Sequence, residues 1–191
     1  DADIILDLNF YEELLSEFKK NKKLGIASGT LIYNNKKEKN IYPDLTRGAT
    51  KFYRLKCFVE IGKLPVTTGW DTLDNIIAQE KKWETKIFPI YFHHLKEEGS
   101  TQGYFRKFYN VGKYCGRIPY HTIYFCLKLI YNIFNKPMIL SSVYLLIGYI
   151  KTKYINRQRP FPEKVSIYFR KKQMYYIKNL IRNFIIKGKI N

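Results

Sequence analysis

The sequence predicts an α/β domain with a mixed sheet and flanking helices, followed by an α-helical basic tail. At the start, an apolar run at residues 4–6 precedes a stretch with helical spacing, which gives a strand–loop–helix order. Residues 26–33 and 85–92 are apolar runs of strand length. From residue 104 onward the spacing is helical, and prolines divide it into several segments.

The first helix is predicted at residues 10–21, where acids come early and lysines late, as the helix dipole favours. Its predicted inner residues are Phe10, Leu14, Leu15 and Phe18. Gly25 is the predicted stop signal after this helix. Residues 26–33 then form a strand, and residues 34–40 a polar, lysine-rich loop.

Further along the first half, residues 47–62 predict a glycine-containing loop that leads into a short helix. Residues 64–69 predict another loop, and residues 71–82 a second long helix. Its inner residues are expected to be Leu73, Ile76, Ile77 and Trp83. We place the following strand, residues 85–92, at a sheet edge because Pro89 has no amide hydrogen to donate.

Charge is distributed unevenly along the chain, whose net charge is +18. Residues 1–95 contain 15 Lys/Arg and 13 Asp/Glu, whereas residues 96–191 contain 19 and 3. Hydrophobic residues make up 46% of the chain and aromatic residues 17%, which excludes global disorder. We therefore predict two parts, a domain at 1–95 and a helical, basic tail at 96–191 that seeks an anionic partner.

The cysteines exclude two further classes of protein. The chain has three, an odd number, and they are far apart: Cys57, Cys115 and Cys126. Without a CxxC pair, neither a zinc site nor a disulfide framework is indicated. This usage favours a reducing compartment such as the cytosol.

The tail combines cations with apolar runs. Residues 137–150 carry no charge, but 14 residues are fewer than the roughly 20 that a transmembrane helix needs. Short apolar stretches flanked by Lys and Tyr are typical of helices that lie in the membrane interface, so we expect an anionic membrane surface as a partner. Two alternatives stay open, a surface that binds nucleic acid and a merely solvated charged surface. No nucleic-acid-binding motif is present, and we expect no nucleic acid partner.

Five motifs occur in a fixed order along the chain. They are Asp1-Ala2-Asp3, Arg47-Gly48-Ala49, the segment from Gly69 to Asp74, His93-His94 and the basic tail. This order resembles the family 2 glycosyltransferases of the GT-A fold, particularly bacterial and archaeal members that build surface polysaccharides. The segment from Gly69 to Asp74, its helix and the strand ending in two histidines are the most specific part. The resemblance covers about the C-terminal half of a catalytic domain plus the family's helical tail, so we expect a fragment that begins just before the first motif.

The resemblance implies a divalent metal, Mn²⁺ or Mg²⁺, which neutralises the diphosphate leaving group of a nucleotide sugar. Asp3 is expected to bind the metal, Asp1 to contact the ribose or a metal-bound water, and His93 or His94 to complete the shell. Neighbouring strand residues point to opposite faces, so at most one histidine faces the site. Alternatively, the two aspartates cap the helix near Phe10, and the histidines are ordinary surface or hydrogen-bonded residues.

The resemblance also implies a general base that takes the proton of the acceptor hydroxyl. Asp71 matches the position, although the family more often has Glu-Asp where this chain has Trp70-Asp71. Asp74, one turn later, is an alternative base, and Asp71 or Thr68 is alternatively an N-cap of the helix. Gly48 and its neighbours Arg47 and Ala49 resemble the loop that approaches the donor sugar, with an ordinary turn as the alternative.

The expected function is an inverting, metal-dependent transfer of a sugar from a nucleotide-diphosphate donor to a glycan or lipid-linked acceptor. The expected location is the cytoplasmic face of the cell membrane, with peripheral attachment. The alternative is a non-catalytic basic module that binds nucleic acid or anionic membranes.

Overall fold

The structure is a computed structural model. It describes residues 3–34, 36–38, 42–64, 69–95, 103–134, 139–155 and 162–188, apart from the side chains of residues 104 and 183–188. The chain divides into two compact units, residues 1–100 and residues 101–191. The first unit is mixed α/β, and the described elements of the second are helices.

A mixed sheet forms the centre of the first unit. Its described strands are β1 (Ile4–Leu6), β2 (Leu24–Tyr33), β3 (Lys36–Lys37), β4 (Phe52–Tyr53) and β5 (Glu84–His94). The order is β1-β5-β2-β3, and β4 also pairs with β2. Strands β2 and β5 are parallel, whereas the other pairs are antiparallel. The predicted class, α/β with a mixed sheet and flanking helices, is confirmed.

Helices cover both faces of this sheet. They are α1 (Phe10–Lys20), α2 (Leu55–Glu60) and α3 (Trp70–Glu80). Residues of α1 pack in one core cluster with Ala27 and strand β5. Ile26 packs instead with Cys57 of α2 and Ala78 of α3. Ile26 and Ala27 pack in different clusters because neighbouring residues of a strand point to opposite faces of the sheet.

Two predicted features of α1 need correction. Leu15 was expected to face inward, but it is 43% exposed, while Phe10, Leu14 and Phe18 are buried. Gly25 is not the helix stop, because α1 ends at Lys20 and Gly25 lies inside β2. The stop is at Asn21, whose backbone leaves the helical region and whose amide hydrogen still bonds to the carbonyl of Glu17.

The prediction that the strand with Pro89 lies at a sheet edge is wrong. Strand β5 lies between β1 and β2. Pro89 fits there because the register shifts around it: Ser28 pairs with Ile87, but Thr30 already pairs with Tyr91. This bulge removes the need for an amide donor at residue 89. The hydroxyl of Thr30 donates to the carbonyl of Phe88 at 2.8 Å within it.

The loop regions of the first unit are partly as predicted. The expected loop at 34–40 contains the short strand β3. The glycine-containing segment at 47–62 holds a 3-10 turn at Gly48–Thr50, then β4 and α2, which confirms a loop leading into a short helix. Of the predicted loop at 64–69, residues 65–68 lie outside the described residues.

The second unit consists of α4 (Tyr104–Arg117), α5 (Thr122–Ile133), α6 (Ile139–Ile150) and α7 (Glu163–Gly188). Helix α6 continues into a π-helical turn at Lys151–Ile155. The core of the second unit contains Cys115, Phe125, Leu145 and Tyr149. The rings of Phe125 and Tyr149 stack with centroids 3.7 Å apart. In the part of the chain that the structure describes, no helix is both long and apolar enough to cross a membrane.

Glycines let α4 and α6 approach each other closely. A Cβ atom on Gly112 would overlap the carbonyl oxygen of Leu145, and one on Gly148 would overlap that of Tyr109. Because these neighbours are backbone atoms, a side chain at either position would force the helices apart. The Gly112-x-x-x-Gly116 spacing on α4 puts both glycines on the same helix face.

Candidate functional site

The N-terminus of α3 lies against the segment that carries the predicted donor-sugar loop. A Cβ atom on Gly48 would be 3.3 Å from Cβ of Asp71 and 3.6 Å from Cζ2 of Trp70. The structure therefore brings together Gly48 and Asp71, two residues that the sequence predicted for the site. Asp71 is partly exposed in the first turn of the helix.

A buried ion pair fixes this contact. Lys51 Nζ is 2.5 Å from Oδ1 and 2.7 Å from Oδ2 of Asp74, and the two side chains are 2% and 0% exposed. The same ammonium donates to the backbone carbonyl of Asp71. It also lies 5.2 Å from the ring centroid of Trp70. Lys51 thus connects the segment that follows Gly48 to the first turn of α3.

Further polar groups complete the network around Asp74. The hydroxyl of Tyr53 donates to Oδ2 of Asp74, and the Asn75 amide N–H donates to Oδ1 at 2.6 Å. The Asn75 side chain donates to the carbonyl of Asp71 at 2.6 Å and accepts from the Thr46 hydroxyl at 2.8 Å. Buried polar groups are costly unless they are bonded in this way, so the network ties α3 to residues 46–53.

Burial dominates the electrostatics of this network. It raises the pKa of Asp74 and lowers the pKa of Lys51, while the attraction between the two opposes both shifts. Burial and the neighbouring Asp74 carboxylate together raise the pKa of the Tyr53 hydroxyl. Tyr53 therefore stays protonated at neutral pH and acts as a hydrogen-bond donor.

These contacts distinguish the two carboxylates of α3. Asp74 is fully buried and already accepts bonds from Lys51, Tyr53 and Asn75, so it cannot reach an acceptor hydroxyl. The alternative that Asp74 is the general base is thereby removed. Asp71 is not the N-cap either, because Gly69 occupies that position with φ of 85°. Thr68, the other predicted cap, lies outside the described residues.

Asp3 and His94 form a second pair of predicted residues. Strands β1 and β5 pair with Ile4 opposite His94, and the Leu95 amide donates to the Asp3 carbonyl at 2.9 Å. His94 Nδ1 then lies 3.8 Å from Oδ2 of Asp3. His93 is exposed, whereas the His94 side chain is only 10% exposed, as expected for neighbours on opposite faces.

Asp3 and His94 bring a carboxylate oxygen and an imidazole nitrogen close together. Nδ1 of His94 is buried and has no hydrogen-bond partner, whereas most buried polar atoms have one. A carboxylate with an imidazole suits Mn²⁺ better than Mg²⁺. Among the described residues, no group of three or more His, Cys, Asp or Glu could hold a metal. Asp1, the other predicted ligand, lies outside them.

The two pairs are held by different elements of the first unit. His94 follows Ile90 and Phe92 at strand spacing, and those two residues pack with α1. Asp71 begins α3, which packs with Ile26 on the other face of the sheet. In open α/β sheets, ligands bind outside the carboxyl ends of parallel strands.

Arg47 and Ala49, which were predicted to approach the donor sugar, make structural contacts within the first unit. The guanidinium of Arg47 forms an ion pair with Glu38, and its Nε donates to Glu38 at 2.8 Å. The Arg47 amide donates to the hydroxyl of Ser28 at 2.9 Å. Ala49 packs against the core cluster beside α1. Gly48 of this tripeptide lies beside Asp71.

Sequence reasoning missed the network of Lys51, Tyr53 and Asn75, although a signal was present. Asp74 and Asn75 are polar residues beside the apolar inner positions Leu73 and Ile76 of a predicted helix. A carboxylate on an inner helix face requires a partner. The partner itself, 23 residues earlier in the chain, could not be identified from spacing.

The second unit presents apolar and cationic groups to solvent. An exposed apolar stripe runs along α5 and its C-cap residue through Ile123, Leu127, Ile130 and Phe134. Helix α6 has another, made of Ile139, Val143, Ile147 and Ile150. Residues 101–191 contain 18 Lys/Arg and a single acidic residue, Glu163. Both features are typical of a surface that meets an anionic, partly apolar partner.

Comparison of the chain with protein-family models, with curated proteins and with solved structures finds no match. A function for this chain therefore rests on its own residues. The relevant ones are the Gly48–Asp71 contact, the Asp3–His94 pair and the exposed surface of the second unit.

Proposed function

We propose that the chain carries the acceptor-side half of an inverting, metal-dependent family 2 glycosyltransferase with the GT-A fold. The enzyme transfers a sugar from a nucleotide-diphosphate donor to a glycan or lipid-linked acceptor in the synthesis of cell-surface polysaccharide. One observation carries the proposal: a partly exposed carboxylate, Asp71, begins a helix beside Gly48, and its backbone carbonyl is held by Lys51 and Asn75.

Asp71 acts as the general base that takes the proton of the acceptor hydroxyl. Its position is fixed through its own backbone carbonyl, which accepts hydrogen bonds from Lys51 Nζ and Asn75 Nδ2. Such support fixes the backbone from which the carboxylate projects. Gly48 lacks a side chain, so its backbone can lie close beside Asp71.

Asp3 and His94 would hold a divalent cation, Mn²⁺ or Mg²⁺. When bound, the cation supplies positive charge that stabilises the departing nucleotide diphosphate. The buried, unpaired Nδ1 of His94 supports this assignment. Asp1 as a second carboxylate and Arg47 as a contact of the donor remain predictions. His93 is the less suitable histidine because it is exposed on the opposite side of β5.

The second unit attaches the enzyme peripherally to the cytoplasmic face of the membrane. The exposed apolar stripes of α5 and α6 support insertion into the interface, and the excess of cations supports attraction to anionic lipids. The competing function is a basic module without catalysis.

Turnover of nucleotide sugars by the full-length protein tests the catalytic part. A panel of nucleotide-diphosphate sugars is assayed with Mn²⁺ or Mg²⁺, with release of nucleotide diphosphate as the readout. Asp71→Asn should lower kcat by about 10²–10⁴-fold while donor binding changes little. Asp7→Asn, the same change at an exposed residue, is the control. Equal rates in the two variants would exclude Asp71 as the base, and binding without any turnover would favour the basic module.

A further inference from the structure

An open cleft with a volume of about 390 Å³ lies in the second unit between the start of α5 and one face of α7. Its cationic or titratable lining residues are His121, Arg170, Lys171 and Lys178. Its apolar lining comes from Ile167, Met174 and Tyr175. We name this site the basic cleft.

The α7 side of the cleft is a single helical stripe. Residues 167, 170, 171, 174, 175 and 178 follow a spacing of three or four, so they share one face. The opposite face of α7 is buried through Val165, Phe169, Gln173 and Ile177. Because the helix is anchored by that face, the cationic stripe is held in a fixed orientation.

The α5 side is equally well fixed. The backbone amide of His121 donates to the side chain of Gln173 at 2.7 Å, and Gln173 is only 2% exposed. Nδ1 of His121 accepts the amide hydrogen of Ile123 at 3.2 Å and so caps α5. A neutral imidazole whose Nδ1 accepts a bond carries its proton on Nε2. His121 therefore offers an N–H donor beside three permanent cations.

The charges of the cleft attract an anion. Arg170, Lys171 and Lys178 repel one another along α7, and Glu163 is the sole acidic residue in 101–191. A phosphate group matches this set, because Arg binds two phosphate oxygens with its planar fork while Lys supplies point charges. Carboxylates would satisfy fewer of these donors.

The apolar lining indicates that the phosphate belongs to a lipid. Ile167 and Tyr175 are 45% and 61% exposed and lie among the cations, where free phosphate would leave them in water. The exposed stripe of α5 starts at Ile123, two residues after His121. Acyl chains can follow that stripe, whereas nucleic acid would leave it uncovered.

We propose that the basic cleft binds the phosphate group of an anionic membrane lipid. The cleft thereby sets where the headgroup layer meets the second unit, with α5 toward the acyl chains. This inference rests on the membrane attachment in the proposed function and does not depend on glycosyl transfer.

A charge-matched pair of triple variants tests the proposal on the full-length protein. The cleft variant is Arg170→Gln, Lys171→Gln and Lys178→Gln. The control is Arg106→Gln, Lys151→Gln and Lys164→Gln, which removes the same charge at exposed positions outside the cleft. Flotation with vesicles of phosphatidylcholine and phosphatidic acid should show about tenfold weaker binding for the cleft variant than for the control. An equal loss of vesicle binding in both variants would mean that only the net positive charge of the second unit matters, which overturns the proposal.

A titration without a bilayer separates the sources of phosphate. Dihexanoyl phosphatidic acid, inorganic phosphate and a short RNA are each added to the protein while the ring signals of His121 are followed by NMR. The lipid should shift them at lower concentration than inorganic phosphate, and the cleft variant should lose the shift. Inorganic phosphate or RNA acting at lower concentration than the lipid would overturn the lipid assignment. A shift by the lipid in a protein that transfers no sugar would leave this inference standing while the catalytic proposal fails.

Discussion

Lys51 Nζ lies 2.5 Å from Oδ1 of Asp74, and both side chains are almost completely shielded from water. The pair joins β4 and the turn before it to α3, and Lys51 also holds the carbonyl of Asp71. A structural ion pair thus lies one helical turn from the proposed base. The pair gives two aspartates three residues apart different surroundings, since Asp74 is buried and Asp71 is partly exposed.

Removal of one partner of this pair should destabilise the protein strongly. Lys51→Met leaves the Asp74 carboxylate buried without its cation, and breaking such pairs typically costs about 3–5 kcal/mol. Chemical denaturation provides the measurement. Lys20→Met breaks the exposed pair with Glu17 and should cost less than about 1 kcal/mol. A similar loss in both variants would contradict a dominant role of the buried pair.

Local pattern was enough to predict most elements of the first unit. The apolar spacing of Phe10, Leu14 and Phe18 predicted α1, and the apolar run at 26–33 predicted β2, because both patterns depend on neighbours close in sequence. The position of β5 in the sheet was mispredicted because the bulge that accommodates Pro89 depends on pairing with β2, more than 50 residues away.

For the candidate site, too, the sequence predicted what depends on local pattern and not what depends on distant contacts. The motif order pointed to Asp71, Gly48, Asp3 and His94, and the structure brings these residues together as two pairs. Spacing alone could not decide between Asp71 and Asp74. That decision required the burial of Asp74 and its bond to Lys51, both of which are tertiary properties.

The cysteines should differ in reactivity. Cys57 and Cys115 are buried and Cys126 is exposed. Burial raises the pKa of both buried thiols, that of Cys57 to about 12, so little reactive thiolate forms. Titration with a thiol reagent at mild pH should therefore modify Cys126 rapidly and the others only after denaturation. Rapid modification of all three in the native protein would contradict this burial.

Alkaline pH should weaken the fold through Cys57. Its pKa rises from the usual 9.0 to about 12 in the folded state, so the unfolded chain loses this proton first. Stability is therefore present below pH 9.0 and is lost as pH rises toward 12. Each pH unit in this window should cost up to about 1.4 kcal/mol. Unfolding curves of Cys57→Ala should show a shallower alkaline decline than the wild type.

Alanine at the glycines between α4 and α6 should destabilise the second unit. Helix propensity alone would favour Gly112→Ala by about 1 kcal/mol. The added methyl, however, meets the Leu145 carbonyl, and overpacking of this kind costs about 1–3 kcal/mol. Gly148→Ala should also lower the thermal unfolding temperature, because its added methyl meets the Tyr109 carbonyl. Gly103→Ala is the control, because nothing lies within 4 Å of its added Cβ. Stabilisation by Gly112→Ala would mean that the helices are less closely packed.

Metal binding should distinguish the two neighbouring histidines. His94 Nδ1 is buried near Asp3 without a hydrogen-bond partner, whereas His93 is exposed on the opposite side of β5. Mn²⁺ affinity of the full-length protein, measured by calorimetry or by electron paramagnetic resonance, should fall at least about tenfold in His94→Ala. Asp3→Ala should abolish metal-dependent turnover with the fold intact.

His93→Ala is the matched control and should bind Mn²⁺ like the wild type. Exchanged results for the two histidine variants would mean that β5 presents the other face to the metal, since alternate residues of a strand change sides together. Unchanged affinity in His94→Ala, in His93→Ala and in Asp3→Ala would remove all three residues from any metal site. Asp71 would then have to be tested as the base of a metal-independent transfer, with turnover measured in the presence of a chelator.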